Sequence, residues 1–195
     1  MPSSVRRLIV QAACAAGLAL SMCCEAAAQH PLAEAPAAAD FMPDYHWSMM
    51  AASLAYPDQR FSWDIHWLGD FDFVSYPGGR VTFLADYEAL LGSEYQPFDP
   101  YQSNYHLEAG ASRFVGRTEV AGFISHLSRH LGDRPKRGPI ADNTMGARFM
   151  RRLERGRDSL DLRADVGKVV ARSYADYTWI EQVDVRSEEH TSELQ

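Results

Sequence analysis

The chain has 195 residues, is 46% hydrophobic and carries a net charge of −7. That is enough for one domain with its own core, and the acidic balance excludes the basic footprint of a nucleic-acid-binding surface. The three cysteines, Cys14, Cys23 and Cys24, all lie near the start, so the rest of the chain holds no disulfide framework and no thiolate metal site.

In chain order, Arg6 and Arg7 precede an apolar stretch, and Ala26, Ala27 and Ala28 follow it. This reads as a secretory signal helix over residues 1 to 28, with cleavage before Gln29. A lipoprotein signal ending at Cys23 is the alternative, and the bulk of Met22 counts against it. After residue 28 no apolar run approaches the roughly 20 residues of a membrane helix. The exported chain is therefore expected to be soluble or to cross a membrane as strands. Residues 29 to 60 are expected to form a flexible N-terminal segment, Ala/Pro-rich up to 40 and then folded as a short helix or packed plug.

From Phe61 the period is two, the signature of strands. The first predicted strand, 61 to 75, places Phe61, Trp63, Ile65, Trp67, Phe71 and Phe73 on one face. Its other face carries Asp64, His66, Asp70 and Asp72. "YPGG" at 76 to 79 turns the chain, because Pro presets φ and Gly permits positive φ. The second strand, 80 to 91, sets Val81, Phe83 and Tyr87 against Arg80, Asp86 and Glu88. The third, 103 to 114, sets Tyr105 and Leu107 against His106 and Glu108, and "FVGR" turns it. The fourth, 118 to 131, alternates less cleanly; its phase puts His126, Ser128 and His130 with the polar face. Strands are also expected at 143 to 152 and 159 to 170, and a seventh begins near Asp176. The links run short, long, short, long, short, as the turns and loops of a bacterial outer-membrane barrel do.

Alternation alone fits a lipocalin-like soluble periplasmic barrel with its oil inside and a membrane barrel with its oil outside. Two features favour the second. No charge interrupts the odd positions from 61 to 73, 81 to 91 and 105 to 111, and aromatic residues gather near strand ends, where interfacial girdles sit. The many charges of the opposite face would need pairing in a dry interior, whereas a wet lumen accepts them. The expectation is an all-β, antiparallel transmembrane β-barrel in a bacterial outer membrane, incomplete at about seven strands. Residues 61 to 185 form the partial barrel, with a structural or transport-related role. Its acidic lumen would favour cations if open.

Three stretches, "FDPYQSNYHLEAG" at 98 to 110, "SHLSRHLGDRPKRGP" at 125 to 139 and "NTMGARF" at 143 to 149, resemble a family of bacterial outer-membrane proteins of unknown function. That family has a His-x-Ser-x-His-Leu-x-Asp strand end. The resemblance implies a barrel and no activity. His126 and Ser128 are also similar to the His-x-Ser strand of lipid A 3-O-deacylases, outer-membrane esterases. This implies a base activating a hydroxyl, with Glu108 or Asp133 to orient the imidazole. Arg129 departs from that pattern, which has Asn there. The final "RSEEHTSELQ", 186 to 195, resembles the read-through translation of a sequencing adapter. It is expected to be foreign, the natural protein continuing past Val185.

Other chemistry is weaker. His126 and His130 lie about 7 Å apart on one face by strand rise, and a shared metal would need a third ligand; no metal or other cofactor is expected. Arg134, Lys136 and Arg137 form a basic loop suited to lipopolysaccharide phosphates. The expected partners are outer-membrane lipids and the barrel-assembly machinery.

Overall fold

The structure is a computed structural model describing residues 30 to 189, apart from 33, 133, 136, 137, 139 and 175. The expected signal segment, residues 1 to 28, and the last six residues, 190 to 195, lie outside the described residues. Every described strand belongs to the unit Pro31–Gln195.

Eight strands form one antiparallel sheet in chain order: β1 (Asp40–Ser53), β2 (Trp63–Tyr76), β3 (Gly79–Gly92), β4 (Asp99–Val115), β5 (Thr118–Leu131), β6 (Ile140–Arg155), β7 (Asp158–Ser173) and β8 (Trp179–Glu189). The sheet is open, with β1 and β8 as its edges. There is no helix among the described residues. β2–β3, β4–β5 and β6–β7 are joined by tight turns, and each turn holds a glycine at positive φ (Gly78 at 87°, Gly116 at 63°, Gly156 at 65°). A side chain would be strained at such a φ, which accounts for glycine at all three turns. The other connections are longer. In the β1–β2 loop, Asp58 Oδ1 accepts the N–H groups of Arg60 and Phe61, both at 2.7 Å. Those two donors, Phe61 first, hold the Asp58 carboxyl below its usual range.

The first correction is β1. Residues 41 to 60 are not a helix or plug; most of them pair with β2 in register from Asp44↔Asp72 to Ser53↔Trp63. Tyr45, Trp47 and Met49 alternate with Asp44, His46 and Ser48, but Pro43 and the helix-compatible "MMAA" obscure the pattern. Pro43 is tolerated because β1 is an edge strand and the register shifts between Phe41 and Asp44, where Met42 has φ 50°. Among the described residues the strand count is thus eight, not seven. Phe61 falls just outside β2, its ring edge-on to Tyr101 at 5.0 Å. Arg186 to Glu189, in the stretch expected to be foreign, continue β8 against β7.

Burial is inverted relative to a water-soluble sandwich. Among the described residues, seventeen buried side chains are polar or charged and seven are hydrophobic. The buried set includes Asp72, Arg80, Glu108, Glu119, Thr144, Arg148 and Asp165. The opposite face exposes Trp67 (52%), Phe83 (39%), Leu107 (42%), Ile124 (55%) and Met145 (55%). Bulges preserve this sorting: the shift between Asp72 and Val74 brings Ser75 opposite Arg80, onto the polar face. One buried aromatic interrupts that face. Phe123 lies over Gly146 and Gly167, where an added Cβ would stand 2.5 Å from Phe123 Cζ and 3.4 Å from the same atom, respectively.

Gly146→Val should therefore destabilise the fold by about 1–3 kcal/mol, the usual cost of overpacking. The check is the unfolding midpoint in urea against that of the unmutated chain; an unchanged midpoint would refute the packing of Phe123 over β6.

Candidate functional site on the polar face

Three clusters occupy the polar face. The first lies near the tight turns, centred on Arg80 of β3. Its Nη1 donates to both oxygens of Asp72 (2.9 and 2.8 Å), while Nε and Nη2 donate to the two oxygens of Glu119 (2.8 and 3.0 Å). Ser112 Oγ donates to Glu119 Oε1 at 2.6 Å and accepts the Arg80 N–H at 3.2 Å. Arg80 and Glu119 sit two strands apart, and small Ser112 on β4 leaves the path between them open.

The second cluster repeats the device one step along the sheet. Arg148 of β6 donates to the two oxygens of Glu108 on β4 (2.6 and 3.0 Å) and to Asp165 on β7 (2.9 Å). Arg163 shares Asp165 at 2.6 Å, and the Arg148 guanidinium lies 5.0 Å from the Phe123 ring centre. A forked guanidinium matched to carboxylates gives directional, charge-assisted bonds. Both arginine side chains are almost wholly buried, at 4% and 2% exposure.

The third cluster is half-buried and closer to the long loops. His66 Nδ1 lies 3.1 Å from both oxygens of Asp86. Its Nε2 is 3.2 Å from Asp64 Oδ1 and 3.9 Å from Glu88 Oε1. Asn104 donates to Glu88, and Gln102 donates to Asn104 at 2.9 Å. At the loop end, Arg134 is held by Glu94 (3.0 Å) and Asp99 (2.5 Å) between the rings of Tyr95 and Tyr101. Tyr177, in the β7–β8 loop, donates to Asp142 at 2.5 Å; burial and that carboxylate push its hydroxyl up to about 12.

The expected polar-face residues of β2, β3 and β4 do share one face: Asp64, His66, Asp70 and Asp72 on β2, Arg80, Asp86 and Glu88 on β3, and His106 and Glu108 on β4. Those of β5 do not. His126 pairs with Leu107, Ser128 with Tyr105 and His130 with Ser103, so all three lie on the apolar face, and the sequence expectation is corrected. The reason is register: Glu108 pairs with Ser125, which sends Glu119, Ala121 and Phe123 inward. Glu108 consequently cannot orient His126; it lies on the other face, bound to Arg148. Asp133 lies outside the described residues, as do Lys136 and Arg137. His126 Nδ1 instead meets Asn143 Oδ1 at 2.7 Å. This pair borders an apolar groove of about 430 Å³ lined by Phe83, Leu107, Ile124, Met145 and Val170. His130 lies edge-on to Tyr105 at 5.5 Å.

Arg148 and Glu119 were not evident as hubs in the sequence. Arg148 stood in its expected strand, but its partners are two strands and one strand away, and no local pattern announces them. No protein-family profile, curated protein or solved structure matches the chain.

Arg148→Ala would leave Glu108 and Asp165 buried without their shared cation, a loss of about 3–5 kcal/mol. Equilibrium unfolding should show that drop, with Arg113→Ala on the exposed face nearly silent. Equal effects from both would contradict the network as described.

Proposed function

We propose that this chain is a transmembrane β-barrel protein of a bacterial outer membrane, structural or transport-related in role, with an interior filled by paired side chains. The observation carrying the reading is the inverted burial: charged pairs inside, large apolar side chains outside. Three further observations support it. Strand length is sufficient: a 14-residue strand such as β2 is about 46 Å long, and tilted by about 45° stands about 33 Å tall. An outer-membrane barrel needs an apolar band of only ~25 Å. On the apolar face a row of rings, Trp67, Tyr87, Tyr105 and His130, crosses four strands at centroid spacings of 5.1 to 5.9 Å toward the long loops. Phe41 and Phe73 meet at 5.2 Å toward the turns, giving a second aromatic group where the other girdle would lie. Among the described residues the strand number is even, as in single-chain bacterial barrels.

In this reading the assembly partners are the barrel-assembly machinery and outer-membrane lipids. Any contact with lipopolysaccharide phosphates rests on Lys136 and Arg137 more than on Arg134, which Glu94 and Asp99 already engage. The bound or transported ligand is not assigned.

A second reading, a lipid esterase resembling the lipid A deacylases, gains from the corrected face of β5. His126 and Ser128 share the apolar face, His126 beside an apolar groove, although Ser128 itself is buried. Against it, His126 turns its Nδ1 to an amide, Asn143, and not to a carboxylate.

Phe83→Arg should abolish outer-membrane assembly, since a charge at mid-depth costs about 2–4 kcal/mol, whereas Asp86→Asn should assemble normally; fractionation of expressed protein reads both. The reverse pattern would favour a soluble periplasmic barrel. The esterase reading predicts that Ser128→Ala eliminates deacylation of lipid A, and an unmutated protein without that activity ends it.

A further inference from the structure

We propose that Asp64, His66 and Glu88 form a binding site for one divalent transition-metal ion of the zinc class, with Asp86 holding the imidazole in place. The site lies on neighbouring strands β2 and β3, and its register is fixed on both sides: His66 pairs with Glu88, and Asp64 with Leu90. One atom from each of the three residues, His66 Nε2 and a carboxylate oxygen of Asp64 and of Glu88, can be chosen so that all lie within 4.8 Å of one another. Nε2 is 3.2 Å from Asp64 Oδ1 and 3.9 Å from Glu88 Oε1. A tetrahedral zinc ion with bonds of about 2.0–2.1 Å holds its ligand atoms about 3.4 Å apart, so small rotations of the Glu88 side chain close the set.

Two features separate this group from a simple acidic patch. The imidazole is clamped from behind: Nδ1 faces both oxygens of Asp86 at 3.1 Å. That carboxylate–histidine arrangement fixes the ring and raises the basicity of the free nitrogen toward a metal. The second feature is Asp64 Oδ1, which is shielded from solvent and has no hydrogen-bond partner aligned on it. Its nearest nitrogen is His66 Nε2 at 3.2 Å, and an ion seated between the two would engage both. The charge is also suitable, since three carboxylates surround one imidazole while the buried Arg80 and Arg148 are engaged with Asp72, Glu119, Glu108 and Asp165. His106 pairs with Asp86 on the same face but is not among the three converging ligands, so a water would complete a four-coordinate shell. The histidine pair singled out by sequence, His126 and His130, lies on the opposite face and takes no part.

The alternative occupant is a proton, with His66 as an imidazolium neutralising its neighbours. Titration of the purified full chain with Co²⁺ separates the two. The metal site predicts one ion per chain, the visible absorption of four-coordinate cobalt, and its loss on adding Zn²⁺. Glu88→Gln and Asp64→Asn, which keep shape and remove charge, should each abolish the cobalt spectrum; Asp86→Asn should weaken binding by about 10–100-fold; His126→Ala should leave it intact. A chain that binds neither Co²⁺ nor Zn²⁺ at micromolar concentration, or that binds equally well in Glu88→Gln, would overturn the proposal. The test uses no membrane assembly readout, so its failure leaves the barrel reading untouched and the reverse also holds.

Discussion

The structure depends on a constraint of charge burial. Arg80 and Arg148 each lie almost wholly out of solvent, and each survives there only because carboxylates from other strands reach its guanidinium. Removing one partner would strand a charge in a medium that solvates it poorly. The pairs therefore do more than fill space. They tie β2 to β5 and β4 to β7 across intervening strands, so the order of strands and the register between them are read out twice, once by the backbone ladder and once by the ion pairs. A one-residue slip of β5 would turn Glu119 to the other face and leave Arg80 facing one carboxylate instead of two.

The other face follows from this one. With the polar groups committed inside, most of the large hydrophobic residues turn outward, along the whole sheet from Trp47 on β1 to Val183 on β8, while a few such as Phe123 and Met150 stay buried among the charges. So large an exposed apolar surface is unusual for a protein surrounded by water. In the proposed reading lipid is the surrounding that favours it, and the aromatic rows toward either end of the strands would be its interfacial girdles. The polar face is graded along its length. Fully paired arginine clusters occupy the part toward the turns and the middle, while the half-buried His66 group lies toward the longer loops, where an ion could enter.

Much of this was legible in the sequence, and the failures have physical causes. β2 and β3 declared themselves because each alternates without interruption, and Gly78 and Gly116 marked their turns correctly. β1 was hidden because edge strands tolerate Pro43 and because two methionines and two alanines carry little strand preference. β5 misled in phase: it mixes Val120, Ile124 and His126 on one face with Ala121, Phe123 and Ser125 on the other, so hydrophobicity does not choose, and only pairing with Glu108 and Arg148 does. The candidate site suffered most from this. His126, Ser128 and His130 looked like one polar group with Glu108, whereas the groups that converge, Asp64, His66 and Glu88, come from two strands whose residue types were read correctly but whose cross-strand contacts require the register.

Whether the aromatic face meets hydrocarbon is tested most directly by quenching of Trp67 fluorescence in vesicles of brominated phospholipid, with Trp47, Trp63 and Trp179 replaced by Phe. A lipid-facing Trp67 predicts strong quenching by bromines on the acyl chains and little by iodide in the aqueous phase. A Trp67 that brominated lipid leaves untouched, in a chain that remains in solution with that indole shielded, would contradict it.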